Sequence, residues 1–291
     1  MNKRFFFLLT AATFFALLCG FSVSAQTAEL TYDSFGKGTF HEESTPKPEE
    51  QTDPFAWMDE MIFIPEGPFL MGNDSEDALN SSRPAHEVTL KGYWIDRYEV
   101  TNHQYAKCVA TQFCTEPKKR SSATRPDYFG NSEYAAYPVI YVDYYQAAAY
   151  CNWAGKRLPT EAEWEKAARG EKGLLYPWGN KLPKELPAQI NLFESGDTAP
   201  VNAFPEGISP YGIYNMEGNV WEWTADQFDQ FYYSKSPARD PQAVTGGNDY
   251  VIRGFSWAYP FSRYEITTRN SSYILNSTYD LGFRCAADEE L

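Results

Sequence analysis

The sequence predicts a single α+β domain with little regular secondary structure, and three observations lead there. Three short segments between Thr101 and Gly170 open on helix caps, short apolar runs that alternate or break at Pro and Gly lie outside them, and the composition is rich in aromatics and turn residues. Aromatics make up 17% of the chain beside 19 Gly and 19 Pro. Packing should therefore lean on Tyr, Phe and Trp, and long loops should carry the function.

The first strand and turn are read in MIFIPEGPFLMG, from Met61 to Gly72, and a further strand in VTLKGYWIDRYEV, from Val88 to Val100. Thr101 with Gln104, Asp143 with Gln146 and Thr160 with Glu163 each set a side-chain acceptor three residues before a Glu or Gln, the pattern of a helix N-terminus. Gly155 and Gly170 close the second and third helices. Ala147, Ala148, Tyr150 and Cys151 fill the interior of the second, and Trp164, Ala167 and Ala168 sit at core spacing in the third. After Gly170 no helical period returns and no internal repeat is found.

The N-terminus has a basic start at Lys3 and Arg4, an apolar stretch from Phe5 to about Phe21 and the small-residue exit Val23-Ser24-Ala25. It reads as a secretory signal over residues 1–25, cut after Ala25, which predicts a secreted or periplasmic protein without a membrane span after cleavage. An uncleaved anchor is the alternative, since the apolar run is near the lower length for spanning. Lipidation at Cys19 would need a small residue where Leu18 stands. Residues 26–54, polar, acidic and poor in aliphatics, read as a linker, and residues 55–291 as the folded domain.

Losing Lys3 and Arg4 with the signal moves the formal net charge from −14 to −16. So acidic a chain is not drawn to nucleic acid or anionic lipid, and it suits calcium-rich surroundings. The mature chain keeps four cysteines, Cys108, Cys114, Cys151 and Cys285, an even number that reads as two disulfides in an oxidising compartment. None has zinc-site spacing, and His41, His86 and His103 lie far apart without an i,i+4 partner. Asn80, Asn270 and Asn276 head Asn-x-Ser/Thr sequons, which carry meaning only in a glycosylating host.

Two stretches invite chemistry. In YGIYNMEGNVWEWTAD, Asn215, Gly218, Val220 and Glu222 offer an amide oxygen, two backbone carbonyls at a glycine turn and one carboxylate. These are hard oxygen donors suited to calcium, although buried Trp221 and Trp223 beside an Asn-capped turn would read the same. In RGFSWAYPFSRYEITTR, Phe255, Trp257, Tyr259 and Phe261 fall at period two, so an extended segment puts all four on one face. That face is either a core strand or a binding platform rimmed by Arg263 and Arg269, and Pro260 favours an edge or loop.

From Met61 to Asp288 the chain resembles the formylglycine-generating enzyme, or sulfatase-modifying factor, family. The match runs in order through EGPFLMG, IDRYEVTNHQY, YPVIYVDYYQAAAYCNWAGKRLPTEAEWEKAARG, YPWGN, YGIYNMEGNVWEWTAD, RGFSW and LGFRCAAD. The resemblance implies a variant of the C-type lectin fold. It implies one calcium site at Asn215, Gly218, Val220 and Glu222 and a second at Asn191, Leu192 and Asp197. It further implies a disulfide between Cys151 and Cys285, which leaves Cys108 and Cys114 for each other.

Family members that oxidise a sulfatase cysteine resemble one another in two cysteines shortly after a Gly-Gly-Ser motif, which hold copper(I); soft copper(I) needs thiolates. Here the motif is Gly254-Phe255-Ser256, and Tyr259 stands where the first thiol is expected. Copper is not expected. The leading expectation is an exported, calcium-stabilised, non-catalytic module. Its former active-site face, with Ser256, Trp257, Tyr259, Phe261, Arg263, Arg269, Tyr273 and Tyr279, would bind an exported protein or peptide. The alternatives are an oxidoreductase-type maturation enzyme with an unrecognised centre, and a lectin-like binding protein diversified by a retroelement over residues 255–280.

Overall fold

A computed structural model describes residues 29–32, 38–41, 53–181, 196–259 and 266–289. The chain divides into two units, Met1–Gln51 and Thr52–Leu291. In the first, β1 (Glu29–Tyr32) pairs antiparallel with β2 (Gly38–His41), Glu29 opposite His41 and Tyr32 opposite Gly38. The acidic composition reads as linker, yet Thr31, Tyr32, Thr39 and Phe40 all favour extended backbone. The second unit is tied down from Asp53, whose carboxylate accepts from the Phe55 amide at 2.9 Å and pairs with Lys107 and His103.

β3 (Met61–Ile64) and β4 (Gly67–Met71) are parted by Pro65 and Glu66, as the sequence indicates. The run from Val88 to Val100, read as one strand, is instead two: β5 (His86–Leu90) pairs with β4, and β6 (Tyr93–Asp96) lies between β3 and β11 (Ala286–Asp288) in another sheet. The break comes at Gly92, where an added Cβ would meet the Phe63 ring at 2.8 Å and push it aside.

α1 (Asn102–Ala110), α2 (Tyr144–Trp153) and α3 (Glu161–Arg169) begin where their caps predict, each with a complete reciprocal capping box. β7 (Trp221–Gln227), β8 (Asp249–Arg253), β9 (Asn270–Tyr273) and β10 (Leu281–Gly282) form a four-stranded sheet in the order β10-β7-β8-β9, parallel only between β10 and β7. Among the described residues no α-helix follows Gly170.

Two apolar cores result. One packs Tyr105, Cys151, Trp223 and Phe283 between α1, α2 and the β7 sheet; the other packs Trp164, Ala167 and Ala168 of α3 against β3 to β6. Every residue of α3 is buried, including Glu161, Glu163, Glu165, Lys166 and Arg169. A helix can bury so many charges only if each finds a partner. Lys166, for example, donates to the carbonyls of Pro65 and Gly67 at 2.7 and 3.0 Å.

Disulfides join Cys108 to Cys114 and Cys151 to Cys285, with Cα separations of 5.4 and 5.6 Å. The second spans 134 residues and ties α2 to the strand leaving β10. Replacing Cys151 and Cys285 together by Ala should lower the free energy of unfolding in denaturant titration by about 2–5 kcal/mol. A loss under about 1 kcal/mol would mean that the bridge constrains the chain far less than its span implies.

Candidate functional site

The loop from Tyr214 to Glu222 is shaped by three left-handed residues, Asn215 (φ 55°), Gly218 (φ 116°) and Asn219 (φ 60°). Gly and Asn are the residue types that tolerate such backbone. A second turn, at Gly254 (φ 94°) and Phe255 (φ 58°), clasps it: the Gly218 amide donates to the Gly254 carbonyl at 2.6 Å, and the Trp257 amide to the Asn219 carbonyl at 2.9 Å. A Cβ on Gly254 would press the Trp164 ring at 3.1 Å and the Met216 carbonyl at 3.3 Å.

Asn215, Asn219, Glu222 and Glu99 are fully buried in this loop's floor. Glu222 is held by Arg284, whose Nη2 donates to Oε1 and Nε to Oε2, both at 2.7 Å, and by the Trp164 indole, which donates to Oε2 at 2.8 Å. Oε2 is thereby filled, while Oε1 accepts one donor and retains a lone pair. Asn215 Nδ2 donates to Glu99 Oε2 at 2.8 Å and to the Val201 carbonyl at 3.0 Å; its Oδ1 is buried without a hydrogen-bond partner. Burial lifts the Glu99 carboxyl to about 8, with repulsion from Glu222 adding to it and Arg284 opposing.

An orphaned amide oxygen and a carboxylate with one open position are donors of the type that a hard cation takes, and the loop's backbone carbonyls are of the same type. Among the described residues no three His, Cys, Asp or Glu side chains gather as a metal-ligand set. Any cation held in this loop would be bound chiefly through neutral oxygens.

The second expected cation set is different. Asn191 and Leu192 lie outside the described residues. Asp197 Oδ2 accepts from Ser122 Oγ at 2.5 Å, Thr124 N at 2.9 Å, Thr124 Oγ1 at 2.7 Å and Arg125 Nη1 at 3.1 Å, and Oδ1 accepts from the Thr198 amide at 2.8 Å. Burial pushes this carboxyl up, but the bonds from Ser122 and Thr124 outweigh it and hold it below its usual range. Asp197, which the family resemblance implies as a cation ligand, spends Oδ2 on fastening the 122–125 loop, while its Oδ1 accepts the Thr198 amide.

The aromatic stretch also departs from the sequence reading. β8 ends at Arg253 and the chain turns at Trp257 and Ala258, so Phe255, Trp257 and Tyr259 do not share one extended face. Phe255 packs on Trp221 at 4.9 Å between ring centroids. Trp257 is 7% exposed, with its ring 5.4 Å from that of Tyr279 and its indole Nε1 lacking a hydrogen-bond partner. Tyr259, Tyr273 and Tyr279 are 46%, 44% and 42% exposed. Ser256 is buried and donates to Asp280 at 2.8 Å. Phe261 and Arg263 lie outside the described residues.

Arg269, expected at the rim, is buried. Its Nε and Nη2 donate to the two oxygens of Glu161 at 2.7 and 2.8 Å, and its guanidinium lies 4.2 Å from the Tyr233 ring centroid. Arg253, also buried, bridges Glu161 at 2.6 Å and Glu165 at 2.9 Å; Arg169 completes the set on Glu165 at 2.7 Å. Sequence reasoning missed this network. Glu161, Glu165 and Arg169 at i, i+4 and i+8 lie on one stripe of a helix whose apolar residues are Trp164 and three alanines, and that stripe is the available signal.

All four cysteines of the described residues are in disulfides, and Tyr259 occupies the turn where the sequence comparison leads one to expect a thiol. A family model described as the sulfatase-modifying factor enzyme 1-like domain matches residues 45–289. The chain belongs to this family.

Within the sulfatase-modifying factor family, the chain is 35% identical over 281 residues to the formylglycine-generating enzyme of Mus musculus, covering 78% of this chain and 75% of that protein. It is also 35% identical over 281 residues to the inactive C-alpha-formylglycine-generating enzyme 2 of Bos taurus, covering 78% and 87%. Among solved structures, PvdO from Pseudomonas aeruginosa superposes with a TM-score of 0.65 at 28% identity, over 78% of this chain and 94% of that one. The fold is accordingly the family's α+β, C-type-lectin-like one.

Breaking a buried ion pair leaves an uncompensated charge, so Arg269→Met or Glu161→Gln should each cost about 3–5 kcal/mol in urea unfolding. An exposed rim arginine would move stability by under about 0.5 kcal/mol, and that result would contradict the burial. Burial raises the Glu165 carboxyl, but Arg253 and Arg169 outweigh it and hold it low. Its contribution is therefore complete above the ordinary glutamate range and lost as pH falls below it.

Proposed function

We propose that the chain is an exported, calcium-stabilised member of its family that has given up copper-dependent oxidation and uses the face around Trp257, Tyr259 and Tyr279 to bind an exported protein or peptide. The observation that carries this reading is the absence of any free thiol among the described residues, with Tyr259 where a copper ligand would stand. A phenol is no substitute for a thiolate toward copper(I). One relative of the same similarity is itself named inactive.

Export is supported by the two disulfides, which last in oxidising compartments, and by the signal-like N-terminus. Among the described residues no helix is long and apolar enough to cross a membrane. Calcium would be held by Asn215 Oδ1, the carbonyls of Gly218 and Val220, and Glu222 through Oε1. Its double charge would be set against Glu222 and would favour the ionised form of Glu99, whose carboxyl burial raises when no cation is bound. Only the first loop is proposed as a cation site.

The name of the mouse relative favours a second reading, a maturation enzyme with an unrecognised centre. Incubation with copper(I), oxygen, a reductant and a Cys-x-Pro-x-Arg peptide separates the two. The peptide cysteine should remain unoxidised, and aldehyde detected by mass spectrometry would overturn the non-catalytic reading.

Chelation should lower the melting midpoint of the wild type, because a ligand bound only to the native state stabilises it by mass action. Asn215→Ala should lose that response. Equal melting of the wild type with and without chelator would remove calcium from the account.

A further inference from the structure

Glu99 lies between β6 and α1 on backbone fixed at the next residue, where the Val100 amide donates to the Phe283 carbonyl at 2.9 Å and the Val139 amide to the Val100 carbonyl at 2.8 Å. Its side chain is fully buried, and each of its carboxylate oxygens takes one amide of the cation loop: Oε2 accepts from Asn215 Nδ2 at 2.8 Å, Oε1 from Asn219 Nδ2 at 3.0 Å. An asparagine amide can be turned either way, and its surroundings decide which end faces which neighbour.

For Asn219 the choice is fixed twice, because its Oδ1 also accepts from the Ala199 amide at 3.0 Å. For Asn215 it is fixed by acceptors alone, Glu99 Oε2 and the Val201 carbonyl at 3.0 Å. Turning Asn215 over would set its oxygen against both and present an NH2 group, which cannot ligate a cation. We propose that Glu99 is the positioning residue of the cation site: it holds the Asn215 amide so that Oδ1 is the atom offered to calcium. This rests on the calcium reading of the loop and adds a residue to it that makes no cation contact.

The geometry dictates what Glu99→Gln would do. The introduced amide has one acceptor oxygen and one NH2 where the carboxylate had two acceptors. Asn219 is pinned by the Ala199 amide and keeps the acceptor, so the introduced NH2 opposes Asn215 Nδ2 and only the Val201 carbonyl still favours the original orientation. In the double variant Glu99→Gln with Asn215→Asp, that NH2 donates to one oxygen of the new carboxylate and the other oxygen faces the cation. The double variant conserves net charge.

The test uses the full chain, stripped with chelator and titrated with calcium by calorimetry, with terbium luminescence sensitised by the neighbouring indoles as a second readout. Glu99→Gln should bind calcium about tenfold more weakly or worse, as loss of a ligand-orienting partner does, while the stripped protein melts no lower than the stripped wild type. A merely structural role would instead lower stripped-state melting and leave affinity in the folded protein unchanged. The double variant should bind more tightly than either single variant, and this comparison stands even if Glu99→Gln alone fails to fold.

Glu99→Gln affinity within about twofold of wild type, or a double variant no tighter than its single parents, would overturn the assignment. A wild type that binds neither calcium nor terbium would fell the calcium reading itself, and the role of Glu99 with it.

Discussion

Much of the molecule is organised around the buried pair Glu222–Arg284. Both side chains are fully enclosed, so neither charge could be accommodated without the other. Glu222 belongs to β7 and Arg284 to the stretch between β10 and β11, so the pair joins the four-stranded sheet to the one that carries β6. Arg284 spends its remaining donors on the carbonyls of Asp96, Arg97 and Tyr214, fixing the end of β6 and the entrance to the cation loop together. Next in sequence, Cys285 closes the disulfide to α2. The ion pair and the adjacent disulfide together lock two sheets, one helix and the 214–222 loop.

The proposed cation loop and the proposed binding face are mechanically one unit. Trp257 donates its amide to Asn219 and packs on Ala199, and Ala199 in turn bonds both ends of the Asn219 amide. A loop left loose by loss of its cation would therefore release the turn that carries Trp257 and Tyr259. On the proposed function, the loop and turn would stiffen an exposed aromatic surface, and ordering such a surface beforehand lowers the entropy cost of binding.

What was legible in the sequence is what local chemistry decides. The three helices announce themselves because capping boxes and closing glycines act within a turn, and the Asn and Gly of the 215–219 loop signal left-handed backbone in the same way. Arg269 was misplaced because its partner Glu161 lies 108 residues away and no local pattern distinguishes a buried arginine from an exposed one. The aromatic alternation after Arg253 misled because period two presumes extended backbone, whereas Gly254 and Phe255 are both left-handed. The family position of Asp197 says nothing of Ser122 and Thr124, whose hydroxyls reach it from a distant loop. Val88 to Val100 alternates well enough to read as one strand, and its division between two sheets shows only in the pairing of each half.

The central claim is that this member of the family keeps the cation that shapes its loop and has lost the metal that does its chemistry. Elemental analysis of the purified protein, by mass spectrometry of the ions released in acid, tests both halves at once. The account predicts calcium in at least stoichiometric amount and copper at background. Stoichiometric copper, or calcium at background in the purified protein, would contradict it.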